Sequence, residues 1–326
     1  MWGGGIFSEN VEKAIADFIS EEERKDAALV SRIKNDIIDS HISYGVTPME
    51  YFLFDFRNES NERRAKYLCN KHKDKLMIDA IGFDKYNREL RDKFAFYQRF
   101  KEFFKRDVCK ITGPEDKAEF IKFCDKHTDF IAKPMGGMCG IGCMIIKVEN
   151  NSEELYENLS SKGSWIIEEL IIQHESMAQW NSSSVNTVRL PSFMNSTGFH
   201  VMKPFFRSGR TGSVVDNAAQ GGMFAIVDEK KGMLATDGMN ESGETFKKHP
   251  DSGITFKGWQ LPQWEELLEI AEKAHQLLAD HPYIGWDFAY TDKGWVLIEG
   301  DWGQFLSEFS DHEGIKEKFE KLIEAK

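Results

Sequence analysis

The sequence predicts an α+β fold in which a helical front is followed by a sheet-rich body. Three observations carry that expectation. Apolar residues recur at helical spacing near the start, short β-rich runs broken by glycine begin at about residue 128, and two aromatic-rich runs near residue 290 read as a hairpin. In the front third, Val11, Ile15, Phe18 and Ile19 form one stripe, and Val30, Ile33, Ile37 and Ile38 a second. The basic stretch Arg63, Arg64, Lys66, Lys71, Lys73 and Lys75 then reads as a solvated helix face.

The later elements follow in order. Asp129–Lys133 and Met144–Val148 are expected strands, as are Ser164–Glu169, Phe199–Phe206 and Gly222–Val227. Pro262 to Asp280 is an expected helix, with Trp264, Leu267, Leu268, Ala271, Ala274, Leu277 and Leu278 along its buried stripe. A last helix is expected from about Glu313, with Ile315, Phe319, Leu322 and Ile323 inward. No repeat, low-complexity tract or Pro/Gly/Ser-rich linker divides the chain.

Composition narrows the class. The 326 residues are 41% hydrophobic and 29% charged, ordinary for a globular protein with a sizeable core. A net charge of −12 argues against a nucleic-acid partner, because binding to a phosphate backbone needs a basic surface. The N-terminus shows no signal pattern, and no apolar run approaches the ~20 residues a membrane helix needs. The cysteines at 69, 109, 124, 139 and 143 form no CxxC and read as reduced thiols, which points to the cytoplasm. Cys139 and Cys143 have no nearby histidine to act as base, so a nucleophilic role is not expected. The histidines show no HExxH spacing.

Two motifs carry chemistry. The first is the run Gly136-Gly137-Met138-Cys139-Gly140-Ile141-Gly142 between two strands, a loop whose amides can approach an anion. It is neither a Walker A loop nor a dinucleotide fingerprint. Lys133, just before it, can place an ammonium on a phosphate. The second is the hairpin around Asp292-Lys293-Gly294. If Thr291 pairs with Trp295, Asp287 stands opposite Glu299, and Asp301 shares their face. Three like charges on one face of an otherwise apolar hairpin call for a cation, and an all-oxygen donor set suits Mg²⁺.

With these motifs, the landmarks Leu90-Arg91-Asp92-Lys93, Ile131-Ala132-Lys133-Pro134, Ile166-Ile167-Glu168-Glu169, Val185-Asn186-Thr187-Val188-Arg189, Val215-Asp216-Asn217, Gly285-Trp286-Asp287 and Ile298-Glu299-Gly300-Asp301 resemble, in order and spacing, the sugar-transfer-associated ATP-grasp proteins. The resemblance spans roughly residues 40 to 305. It implies an ATP-grasp fold, with a helical region over 1–85 and subdomains over 86–167 and 168–326. It implies that ATP is held with Lys93 and Lys133 on its phosphates and that the 136–142 loop, with Gly136, Gly137, Gly140 and Gly142, closes over them. Glu168, Glu169, Leu170 and Ile171 would be the hinge at adenine, and His174 or Glu175 a ribose contact. Asp287 and Glu299 match the magnesium ligands. Asp301 stands where the family's usual motif has asparagine, which puts a two-metal arrangement in doubt.

The resemblance also implies an enzyme joining a carboxylate to an amine through an acylphosphate, with sugar-derived substrates, and no nucleic-acid or membrane partner. Arg189, Lys203, Arg207 and Asn217 are the candidate catalytic residues, with Asn186 a further polar group. Each has an ordinary structural alternative: Arg189 pairing a core acid, Lys203 lying on the surface, Asn217 capping a turn. A phosphotransferase and a non-catalytic nucleotide-binding module remain as alternatives. Trp180, Trp259 and Trp264 are the tryptophans considered for sugar stacking, though most tryptophans simply pack.

Overall fold

The computed structural model describes residues 4–136, 141–148, 151–213, 216, 221–302, 308–309 and 312–325. Gly137, Met138, Cys139, Gly140, Val215 and Asn217 of the sequence analysis lie outside the described residues. Two antiparallel sheets organise the chain. The smaller contains β1 (Val108–Ile111), β2 (Asp129–Pro134), β3 (Met144–Lys147) and β4 (Trp165–Glu169) in the order β1-β4-β2-β3. Its core is aromatic: Phe120, Phe123 and Tyr156 from the helices Lys117–Cys124 and Ser152–Lys162 close on Phe130, Trp165 and Ile167.

The larger sheet contains β5 (Thr187–Asn195), β6 (Gly198–Val201), β7 (Phe205–Ser208), β8 (Met223–Ile226), β9 (Gly238–Met239), β10 (Thr245–Phe246), β11 (Tyr283–Thr291) and β12 (Gly294–Asp301). Its order is β10-β9-β8-β7-β5-β11-β12, with β6 beside β5. Central β5 and β11 are buried on both faces over most of their length, so polar residues on them have to be paired.

The expected front helices form as Gly4–Phe18 and Ala27–Tyr44. The second is capped by the Asp26 carboxylate, which accepts from the amides of Ala28 and Leu29, and ends at Gly45 with a φ of 74°. Val11, Ile15, Ile19, Ile33 and Ile37 are buried as the spacing predicts, but Ile38 is exposed. These helices pack with Phe54, Phe56 and Tyr67 against Phe205, Phe224, Ile226 and Met239 of the large sheet.

The basic stretch is not a single solvated face. Arg64 donates to both oxygens of Asp36 and to the Phe56 carbonyl, and Lys73 is buried with its ammonium on the Trp302 carbonyl. Both side chains have become internal polar ties, which a charge count cannot distinguish from surface charges. The helix expected over Pro262–Asp280 forms as Trp264–Gln276, and Leu277 lies beyond it and is exposed. The last helix spans Lys316–Glu324 and buries Phe319. Among the described residues, no helix is long and apolar enough to cross a membrane.

The β11–β12 hairpin departs from the expected register at its turn. Thr291 pairs with Gly294, not Trp295, so the loop holds two residues, Asp292 and Lys293. A β-bulge between Asp287 and Phe288 then shifts the ladder by one: Phe288 faces Leu297, while Asp287 faces Glu299. Ile298 is the extra residue. Because side chains alternate along a strand, an unbulged hairpin with this turn would send Glu299 to the opposite face from Asp287. The bulge therefore restores the juxtaposition that the sequence predicts through a different turn.

Beyond the bulge, Gly300 lies beneath the helix Lys93–Phe104, whose Phe96, Phe100 and Phe104 pack with Trp286. A Cβ at Gly300 would stand 3.1 Å from Trp286 Cε3 and 3.2 Å from both Ile284 Cγ2 and Phe96 Cε2. Gly300→Ala should lower stability by about 1–3 kcal/mol through overpacking. A shift in the urea midpoint at unchanged slope would show it; an unchanged midpoint would mean the helix lies less tightly on β12.

Candidate functional site

Strand alternation explains how the larger sheet carries a polar stripe on an otherwise apolar frame. Asp287 on β11 faces Arg189 on β5 and Glu299 on β12, while Thr187 on β5 faces Arg207 on β7. Residues two apart share a face. Arg207, Thr187, Arg189, Asp287, Glu299 and Asp301 therefore line one face across four adjacent strands. The intervening positions, Phe206, Val188, Trp286 and Phe288, form the core on the other face.

On the polar face, Asp287 is fully engaged. Arg189 donates to both of its oxygens, and Arg207 Nη2 lies 2.8 Å from Oδ2. Arg189 Nη1 also reaches Asp301 Oδ1 at 2.7 Å. Arg207 Nε donates to Thr187 Oγ1 at 2.9 Å and lies 3.6 Å from Asp216. Burial alone would raise the Asp287 carboxyl, but Arg189 and Arg207 outweigh it and hold it down at about 2. Asp216, also buried, is raised by that burial against the pull of Arg207.

Glu299 differs from these. It is exposed where it lines a cavity, and it makes no hydrogen bond or ion pair among the described residues. Desolvation within the cavity pushes its carboxyl up, and repulsion from Asp287 and Asp301 adds to the shift. Two guanidiniums stand here against four carboxylates, a balance that favours an added cation.

The cavity, of about 560 Å³, lies between the two sheets. Lys93, Lys133 and Glu168 line one side and Arg207, Asp216, Asp287, Ile298 and Glu299 another. Lys93 sits in the first turn of its helix, where Asp92 caps the amides of Phe94 and Ala95, and its ammonium is 3.2 Å from the carbonyls of Pro134 and Met135. Burial lowers its pKa, against the attraction of Glu299. Lys133 Nζ is 2.7 Å from Glu168 Oε1.

Away from these charges the walls turn apolar, with Ile131, Ile141, Ile145, Leu170, Ile171 and Ile172. Three of them, Ile141, Ile145 and Ile172, are 70%, 52% and 80% exposed, apolar surface that a flat ligand ring would cover. The stretch Glu168 to Ile171 borders this part. Of the loop glycines, Gly142 has a φ of 78°, and a Cβ there would meet Pro134 Cγ at 2.9 Å; Gly136 faces open space.

Not every expected residue converges. Lys203 does not line the cavity: it bonds Glu313 at 2.7 Å, on a backbone with a φ of 49°. His174 also lies off the lining, where its ring caps the short helix Glu175–Ala178 through the Ser176 amide. Asp301 is tied to Arg189 and does not line the cavity either. Asn186 is fully buried and bonds Gln173, Met177, Asn181 and Ser208, so its amide holds the loop ahead of β5 together. Trp180 packs among Phe206, Phe256 and Trp259, and Trp264 is buried, which leaves neither exposed for stacking on a sugar.

Sequence reasoning missed Arg106 altogether. Buried behind the cavity wall, it donates from Nε and Nη2 to Glu168 Oε2 at 3.0 and 2.6 Å. Its neighbours Lys105 and Asp107 gave no sign that this one charge points inward. The Glu168 carboxyl, which burial would raise, is held at about 2 by Lys133 and Arg106.

That depression makes a prediction with a definite sign. A carboxyl lowered on folding stabilises the protein above its ordinary value of 4.5, and that contribution fades as pH falls toward about 2. Glu168→Gln should cost about 3 kcal/mol at pH 7, because two cations lose their buried partner. It should also flatten the loss of stability between pH 4.5 and 2. Urea unfolding at a series of pH values checks both; an acid limb as steep as the wild type's would show that Glu168 is not held in the ionised form by these partners.

Comparison with known proteins follows the same lines. The family model for sugar-transfer associated ATP-grasp proteins matches residues 85–322. No curated protein matches the chain. Among solved structures it is similar to D-alanyl-alanine synthetase A from Vibrio cholerae, at 11% identity and a TM-score of 0.43, covering 73% of this chain and 64% of that one. A D-alanine–D-alanine ligase from Helicobacter pylori is similar at 16% identity and a TM-score of 0.44, with 72% and 61% covered. The ATP-grasp ligase PsnB, in complex with a precursor variant, Mg and ADP, gives 12% identity and a TM-score of 0.41, with 76% and 60% covered. The chain spans less than two thirds of the length of each of these relatives. With two lysines and opposed carboxylates lining one cavity, the chain belongs to the sugar-transfer associated ATP-grasp family and has the ATP-grasp fold.

Proposed function

We propose that this chain is an ATP-dependent carboxylate–amine ligase of the cytoplasm, forming an amide through an acylphosphate on a sugar acid, amino sugar or amino acid. The observation that carries the reading is the cavity itself, with two lysines on one side and a carboxylate-bearing strand pair on another. We read 86–167 and 168–326 as the subdomains that clasp the nucleotide, behind a helical region over 1–85.

In this reading the adenine lies among Ile131, Ile141, Ile145 and Ile172, with the backbone of Glu168 to Ile171 at its edge. Lys93 and Lys133 take the phosphates, and the glycine loop covers them. The donor set suits magnesium, because it consists of hard carboxylate oxygens in a place with excess negative charge. Glu299 fits best, having no competing partner among the described residues. Asp287 and Asp301 are already neutralised in part by Arg189. A magnesium ion bound there would offset charge on the transferred phosphoryl group. Arg207, which borders the cavity, and Arg189 behind Asp287 supply fixed positive charge for the acylphosphate without the reorganisation that solvent would need.

Phosphorus NMR of the protein with Mg·ATP and pooled uronic acids, amino acids and small amines tests the reaction. ADP and free phosphate should accumulate only when a carboxylate and an amine are both present. A new phosphoester signal without an amine would make the chain a phosphotransferase, and binding of ATP without turnover would make it a nucleotide-binding module. Glu299→Gln should slow ADP formation by about 10²-fold or more. A rate within a few-fold of wild type would remove Glu299 from the site.

A further inference from the structure

Lys133 lies 2.7 Å from Glu168 Oε1, and in this structure it is committed to that carboxylate. The commitment raises a physical problem for any ligand that needs its ammonium. A cation that leaves a buried carboxylate strands an uncompensated charge, and the protein would resist the move strongly. Glu168 has a side chain only 4% exposed, so little water reaches it while the lysine stays in place.

Arg106 resolves this. Lys133 bonds Oε1 of Glu168, whereas Arg106 uses the other oxygen, Oε2. The carboxylate thus has two cationic partners, one more than neutrality needs. The arginine is also fixed at its far end. Its Nη1 donates to the Leu297 carbonyl at 2.6 Å and to Phe104 at 3.3 Å, and its guanidinium lies 4.3 Å from the centre of the Phe104 ring. Leu297 directly precedes the bulge residue Ile298, so the same side chain ties β4 of the small sheet to β12 of the large one. Arg106 itself lies outside the cavity lining.

We propose that Arg106 is a positioning residue that keeps Glu168 neutralised and in place, so that Lys133 is free to move from Glu168 to a phosphate of the nucleotide. The proposal rests on the nucleotide reading of the cavity. It separates two jobs that the sequence cannot separate: one cation that stays and one that exchanges partners. Arg is suited to the first, because its planar fork reaches a carboxylate and two backbone carbonyls at once.

The test is calorimetric titration with ATP and with adenosine, which has no phosphates. In wild type both should bind, ATP more tightly. In Arg106→Met, Lys133 becomes the sole partner of Glu168, so ATP should weaken about tenfold while adenosine stays within about twofold. In the double variant Arg106→Met with Glu168→Gln, nothing holds Lys133 back, and most of the ATP affinity should return. Equal weakening of ATP and adenosine, no weakening of ATP, or no recovery in the double variant would each overturn the proposal. If Arg106→Met does not fold by circular dichroism, Arg106→Lys takes its place. It keeps the charge and should preserve the ratio of ATP to adenosine affinity within about threefold; a larger fall overturns the proposal. Wild-type protein that binds neither ligand would instead sink the nucleotide reading, and this proposal with it.

Discussion

Asp287 is held by two guanidiniums, and the larger sheet is arranged around that contact. Taking three charges out of water is costly, and a hydrophobic trio of equal volume would often fold at least as well. What the ions add is a requirement of place. Arg189 must stand opposite Asp287, and Arg207 opposite Thr187, or a charge is left buried and alone. A one-residue slip of β5 against β11 would break every one of these pairs while turning Val188 and Leu190 toward the polar side. The ion cluster and the apolar face therefore specify the same register, each penalising the other's failure.

The bulge at Ile298 extends that order to β12. Without it the polar stripe would stop at Asp287, and the Glu299 carboxylate would be driven into the face occupied by Phe96 and Trp286. With it, one carboxylate is saturated by arginines and its neighbour, five residues from the turn, is left to the cavity. The two acids are chemically similar and differ in function only through what stands beside them. Desolvation already raises the Glu299 carboxyl, and the adjacent Asp287 and Asp301 add the repulsion that makes it a site that gains from a cation.

How much of this was legible in the sequence depends on the range of the interaction involved. Patterns set by neighbours along the chain came through: the helices at 11–19 and 30–37, the strands around the glycine loop, and the hairpin that opposes Asp287 to Glu299. The last succeeded by two cancelling departures, a turn one residue shorter than expected and a bulge one residue longer, and no glycine marks the bulge. Partners contributed from far along the chain did not come through. Arg64 and Lys73 read as surface charges because Asp36 and the Trp302 carbonyl are distant in sequence. Lys203 and His174 sit close in sequence to residues of the cavity, yet their strand end and loop turn them toward Glu313 and Ser176.

The helical front is more than an appendage to the cavity, although the family match begins only at residue 85. Its cluster of Phe54, Phe56 and Tyr67 covers Phe205, Phe224 and Ile226 on β7 and β8 of the large sheet. Its Lys73 caps the end of β12 through the Trp302 carbonyl, and Tyr86 stacks on the Trp302 ring with centroids 3.9 Å apart. Trp302 follows Asp301 directly, so the far end of the carboxylate strand is held by residues 73 and 86 while its middle is held, through Leu297, by Arg106. Glu299 lies between those two anchors. A carboxylate with no partner among the described residues has to be kept in position by the backbone on either side, and these two anchors supply that restraint from opposite ends.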